Sequence, residues 1–198
     1  MSAAEADRHD RMLQYLIERD KATAAMCAGA SDEQIDSTMP VMLRAAQLGD
    51  LNALDCYIGS DLTTRKMLDH PAWLMQYEQN APVLIDVAMQ HGDWAVVELM
   101  RQIYAGSGFA NFSESLRRQL VDADPVMSYR YLRLEQHGAQ GDLAESLRVN
   151  ATLATRELTP EQVAESDSWA LDEYDRYFTS KPVNDLFNGT DICEIDDN

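Results

Sequence analysis

The stretch LRAAQLGDLNALDCYI, residues 43–58, decides how the rest of the chain is read. Apolar residues recur at helical spacing on both sides of one Gly-Asp dipeptide: Met42, Ala45 and Ala46 lead up to it, and Leu51, Leu54, Tyr57 and Ile58 follow it. A glycine just past a helix takes the left-handed conformation that most residues resist. An aspartate just before a helix accepts hydrogen bonds from its orphan N–H groups. Gly49-Asp50 is therefore expected to stop one helix and start the next, with Asp50 a cap and not a catalytic acid.

The dipeptide returns as Gly92-Asp93 in HGDWAVV and as Gly141-Asp142 in QGDLAES, at separations of 43 and 49 residues. The same hinge role is expected of all three pairs. Between and around them the chain reads as helix after helix. Ser2 with Glu5 forms a capping box ahead of Met12, Leu13, Leu16 and Ile17, which predicts a first helix over 2–28. Pro40 is expected in the first turn of the helix that reaches Gly49, and Pro82 at the opening of another, with shorter helices over 61–80 broken before Pro71. Further helices are expected over 113–121, over 125–137, on Leu143, Leu147, Ala151 and Ala154, and after Thr159-Pro160-Glu161-Gln162. No stretch alternates long enough to predict a strand. The expected fold is all-α, a helical-hairpin repeat array or an irregular multi-helix bundle of nine to eleven helices, in one domain over 1–182 with an acidic tail over 183–198.

Composition narrows the function classes. With 34 acidic against 16 basic residues the net charge is -18, which argues against unaided binding to a nucleic-acid backbone and favours a neutral or basic protein partner. No run approaches the roughly 18 consecutive apolar residues that span a bilayer, so membrane insertion is not expected. The opening MSAAEADRHDRM does not look like an export signal, which suits a cytoplasmic setting for the chain as written. Cys27, Cys56 and Cys193 form no CxxC pair. In an oxidising compartment, such as the periplasm for a processed chain, Cys27 and Cys56 are candidates for a disulfide; reduced, they are ordinary small buried residues.

LRAAQLGDLNAL, with its alanine pair ahead of a glycine, and IYAGSGF, residues 103–109, with its tyrosine before a glycine-x-glycine turn, resemble the Sel-one-like repeats, which are helical hairpins related to tetratricopeptide repeats. DPVMSYRYLRLEQHG is similar to the aromatic-rich helix that follows that turn in the family, and the likeness covers residues 40–140 in patches. It implies a scaffold that binds a protein or peptide along a concave face, with no catalytic residues to carry over.

Candidate chemistry is sparse. His9, His70, His91 and His137 never stand four residues apart, no metal or cofactor motif is present, and Ser107 in YAGSGF lacks the elbow that exposes a nucleophile. Acidic groups such as Asp122 with Asp124, or Asp172 with Glu173 and Asp175, are expected to be solvated faces or helix caps. The residues best suited to a partner are aromatic: Tyr129, Tyr131, Trp169, Tyr174 and Tyr177, beside Phe178. A non-enzymatic interaction module is the leading expectation. An acidic inhibitor or immunity-type protein that blocks a basic site stands second, and a small hydrolase third.

Overall fold

Two Gly-Asp junctions organise the first half of the fold, and they are built alike. A computed structural model describes residues 31–59, 71–105, 121–180 and 183. Within them lie α1 (Asp32–Gln47), α2 (Leu51–Gly59), α3 (Pro71–Gln90), α4 (Trp94–Ala105), α5 (Pro125–Gly138), α6 (Gly141–Ala154) and α7 (Pro160–Glu173). A single 3-10 turn, Thr155–Glu157, follows α6, and α7 continues into a π-helical turn, Tyr174–Phe178. All regular structure among the described residues is helical. The chain divides into two compact units, Met1–Thr38 and Met39–Asn198, and the boundary falls inside α1. Of the first unit only residues 31–38 are described, and they carry the opening turns of that helix.

At the α1–α2 junction Gly49 has φ 95°. The Asp50 N–H donates to the Ala45 carbonyl and the Gly49 N–H to the Ala46 carbonyl, the paired bonds that close a helix with a left-handed residue. At the α3–α4 junction Gly92 has φ 66°, and Asp93 and Gly92 donate in the same way to Ala88 and Met89. Each aspartate then caps the next helix: Asp50 Oδ1 accepts from Ala53 N–H at 3.0 Å, and Asp93 Oδ1 from Ala95 N–H at 2.9 Å. The sequences AAQLGD and AMQHGD thus close the helix with one set of backbone bonds, and each aspartate then caps the next helix at a different N–H of its first turn.

The third Gly-Asp departs from the hinge expectation. α5 already ends at Gly138, the N-cap of α6 is Gln140, and Gly141, at φ 58°, is the first residue of α6. Asp142 lies inside the first turn, where its charge complements the helix dipole. Ala139 and Gln140 supply extended backbone that lets α6 turn back onto α5, which replaces the tight closure made at the other two sites.

Two prolines also sit differently from expectation. Pro40 is the ninth residue of α1, and Pro82 lies inside the 20-residue α3 and does not open a helix. An interior proline costs about 3 kcal/mol through its missing N–H and its ring clash. In α3 the opposing term is larger: Tyr77, Ala81, Leu84, Ile85, Ala88 and Met89 are all buried along one stripe, and each large apolar side chain contributes roughly 1.5–3 kcal/mol. Pro82 and Glu78, the residue four positions before it, are both exposed, so the site of the missing bond lies on the solvent side of the helix.

In the second unit α2 packs on α3 and α4, α3 on α4, and α4 on α5. α5 is the hub, since it also carries α6, α7 and the π-helical turn. Asp124 caps α5, its Oδ1 accepting from Val126 and Met127 N–H, and Thr159 and Gln162 form a reciprocal capping box for α7. The main core gathers side chains such as Leu54, Tyr77, Val97, Met100, Leu134 and Phe178, and a smaller cluster, Tyr129, Leu132, Leu147 and Ala151, joins α5 to α6. Val183, the first residue of the expected tail, is fully buried, and its N–H faces the Gly138 carbonyl at 3.4 Å. The expected first helix with Cys27, the helix over 113–121 except Val121, the turn holding Ser107, and the tail over 184–198 lie outside the described residues.

Candidate functional site

The aromatic residues singled out for a partner are mostly packing. Tyr129 and Tyr131 are 3% and 6% exposed, so their faces are spent on the interior. Tyr131 stacks on Tyr104 of α4 with ring centroids 5.9 Å apart and meets the edge of Trp169 of α7 at 5.5 Å. That ladder ties three helices together. Trp169, Tyr174 and Tyr177 are half-buried and rest against the same core. The Tyr174 ring lies 5.7 Å from His137, and Arg176 stands over the Tyr177 ring. Only parts of these three rings face solvent.

Polar side chains that sequence reading missed are concentrated between α4, α5 and α7. Arg101 reaches from α4 to two carboxyls: NH2 lies 2.5 Å from Glu98 Oε1, and Nε lies 2.9 Å from Glu135 Oε2 of α5. Glu135 is completely buried. Gln102 Nε2 donates to Glu98. Nearer the surface, Arg133 Nε binds Asp167 Oδ1 at 2.6 Å, and the Tyr129 hydroxyl donates to the same oxygen at 3.1 Å. His137 stands beside this pair; burial, then the Arg133 guanidinium, push its pKa below the usual imidazole range. The ring is therefore held toward its neutral form. His91 occupies the exposed turn after α3, and His9 and His70 lie outside the described residues.

A second buried acid sits on α2. Asp55 is 8% exposed, and its Oδ1 finds no hydrogen-bond partner among the described residues. Burial first, and then the charge of Asp93, push its pKa up to about 8, so at neutral pH it is mostly protonated. Both missed acids carry a signal in the sequence. Glu135 falls between Tyr131 and Gly138, and Asp55 between Leu54 and Ile58, each on the buried stripe of its helix.

Compared with models of known families, with curated proteins and with solved structures, the chain matches none. The site must therefore be judged by its own chemistry.

Among the described residues no group of three or more His, Cys, Asp and Glu side chains is arranged to hold a metal ion. No helix there is long and apolar enough to cross a membrane. Of the acidic groups considered from sequence, Asp124 is a cap, and Asp122, Asp172 and Asp175 are exposed. Asp86 of α3 and Asp172 lie near Glu173; burial first, then these two charges, raise the Glu173 pKa against the opposing pull of Arg176. Asp86, Asp172 and Glu173 thus form a group of three acids near the end of α7. Exposed apolar side chains occur on α1 (Val41, and Leu48 just past its end, 81% exposed) and on α3 (Met75 and Val83). Gln47 Nε2 bonds Asn80 Oδ1 at 3.2 Å, which sets the end of α1 beside the middle of α3. Cys56 is disulfide-bonded, and both other cysteines, Cys27 and Cys193, lie outside the described residues.

Proposed function

We propose that this chain is a non-enzymatic interaction module of helical-hairpin repeats, of the Sel-one-like or tetratricopeptide-related kind, which binds a protein or peptide. The observation that carries the reading is the pair of matching junctions. AAQLGD and AMQHGD stand 43 residues apart; both close the helix with the same pair of backbone bonds, and in both the aspartate caps the next helix, Asp50 through the N–H three residues on and Asp93 through the N–H two residues on. Repeat arrays are built by using one supersecondary unit again and stacking the copies, and a junction used twice supports that reading. Leu48, beside the first junction, and Val83, on the neighbouring helix, are the apolar side chains that such a face offers. The test is a photo-crosslinking amino acid placed at position 48 or 83, with Glu145 as a control site. One protein crosslinked from 48 and 83 but not from 145, and lost with Leu48→Glu, is the expected outcome. A purified chain that turns over a substrate, with the turnover abolished by an Asp or His substitution, would overturn the reading.

A second reading, an acidic inhibitor or immunity-type protein that plugs a basic site, draws on the net charge of -18 and on the group of Asp86, Asp172 and Glu173. The two differ in salt response. An inhibitor of this kind loses affinity steeply as salt rises, and the loss is blunted by Asp86→Asn with Asp172→Asn, whereas apolar docking at Leu48 and Val83 is little affected.

A further inference from the structure

Among the described residues the most extensive helix contact is that of α4 with α5, and it holds two carboxyls and one guanidinium. We propose that Glu98, Arg101 and Glu135 form a proton-dependent latch, in which α4 and α5 stay docked while one proton is shared between the two carboxyls and loosen when it leaves.

The geometry favours that proton. One guanidinium serves both carboxyls, 2.5 Å from Glu98 and 2.9 Å from Glu135, and Glu135 has no exposed surface on which a second negative charge could be hydrated. Charge counting agrees. With one proton the set is Glu98 ionised, Arg101 ionised and Glu135 neutral, which sums to zero. Without it a net negative charge is left in a place where Glu135 has no exposed surface. An uncompensated buried charge costs several kcal/mol, which is enough to open a local interface in a protein of ordinary stability.

Among the described residues no other charge acts on Glu135 to absorb the difference. From α4 the groups facing Glu135 are Glu98 and Arg101. Arg101 is already shared, its NH2 on Glu98 and its Nε on Glu135, where it donates to Oε1 at 3.1 Å. Gln102, the remaining polar neighbour, gives its amide N–H to Glu98 and is uncharged. From α6, α7 and the π-helical turn, which also pack on α5, no charged group among the described residues couples to Glu135. Burial raises the Glu135 pKa first, and then the hydrogen bond and charge of Glu98 raise it further against Arg101. Burial would raise Glu98 as well, but its bonds from Glu135, Arg101 and Gln102 hold it below the usual range. The proton therefore resides on Glu135. Because the folded value lies above the unfolded one, the stabilisation is complete at acidic pH and is lost as pH rises through the Glu135 titration. The consequence is mechanical: alkalinisation weakens the joint between the hairpin pair α1–α4 and the helices that follow.

The test is made in an Asp55→Asn, Glu173→Gln background, which removes the two other raised acids among the described residues. Thermal unfolding is followed from pH 5 to 10, and Glu135 is titrated directly by carboxyl-carbon NMR. The expected result is a Glu135 midpoint well above the ordinary glutamate range and a Tm that falls by about 5 °C or more as pH passes through it. Hydrogen exchange should quicken at α4 and α5 over the same interval. Glu135→Gln, a neutral isostere, should hold its Tm across that interval. Glu98→Gln should move the Glu135 midpoint down, because the ionised partner is gone. A Glu135 that is already ionised at pH 6, or a Glu135→Gln protein whose Tm keeps the same slope, overturns the latch. If Glu135→Gln does not fold, the NMR titration of the parent decides.

Discussion

The Cα of Gly92 sits so close beneath the backbone carbonyl of Tyr177 that a Cβ on residue 92 would overlap that oxygen. The α3–α4 junction is thereby seated directly on the π-helical turn that ends α7. Gly49, its counterpart at the first junction, has the same left-handed backbone but no atom within 4 Å of such a Cβ. Two glycines with one local role thus differ in what surrounds them.

Gly49→Ala should cost about 1–2 kcal/mol, the strain of placing a side chain in the left-handed region. Gly92→Ala should cost that plus roughly 1–3 kcal/mol for displacing a backbone carbonyl that cannot rotate away. Urea unfolding of both variants checks the difference. Equal losses would mean that the turn at Tyr177 yields freely.

Asp55 gives the fold an acid-favouring slope. Its pKa rises from 3.8 to about 8 on folding, so the unfolded chain binds fewer protons between those values. Stability from this group is complete below about pH 4 and is lost as pH climbs toward 8, by an amount on the order of 6 kcal/mol at most. Asp55→Asn should flatten that part of the stability curve and leave the protein more stable than its parent at pH 8. Denaturant midpoints at pH 5, 6.5 and 8 measure it, and a parallel pair of curves would contradict the burial of a neutral acid.

The Tyr77 hydroxyl donates to the Ile58 carbonyl at 2.7 Å in the interior, joining α3 to the last turn of α2. The two rings beside it, Tyr57 and Tyr77, lie 5.4 Å apart between centroids. Tyr77→Phe keeps the ring contact and leaves a buried carbonyl short of a donor, so a loss of about 1–2 kcal/mol is expected on chemical denaturation. No loss would mean that another donor reaches Ile58.

Cys56, being disulfide-bonded, should resist alkylation in denaturant until a reductant is added. Peptide mapping without reductant should recover it linked to Cys27 or to Cys193, the other cysteines of the chain. Reduction, or Cys56→Ser, should lower stability by about 2–4 kcal/mol. Labelling of Cys56 before reduction would show the thiol to be free.

The sequence by itself determined what depends on neighbours within a turn or two. Gly49-Asp50 and Gly92-Asp93 could be read as helix junctions because the closing bonds and the caps join residues no more than five apart. The helical class followed from apolar spacing, which is also local. Tertiary structure decided the rest. Pro82 stands inside α3 because the burial of Tyr77, Leu84 and Ile85 outweighs a local penalty that sequence rules weigh alone. Tyr129 and Tyr131 became core when α4, α6 and α7 closed over α5, and a tyrosine's own character does not state which of its sides will be covered. Glu135 and Asp55 stood visibly on apolar stripes, yet their protonation depends on partners 37 and 38 residues away, Glu98 and Asp93. Electrostatic free energy is set by distance and burial in space, and neither is a property of the order of residues along the chain.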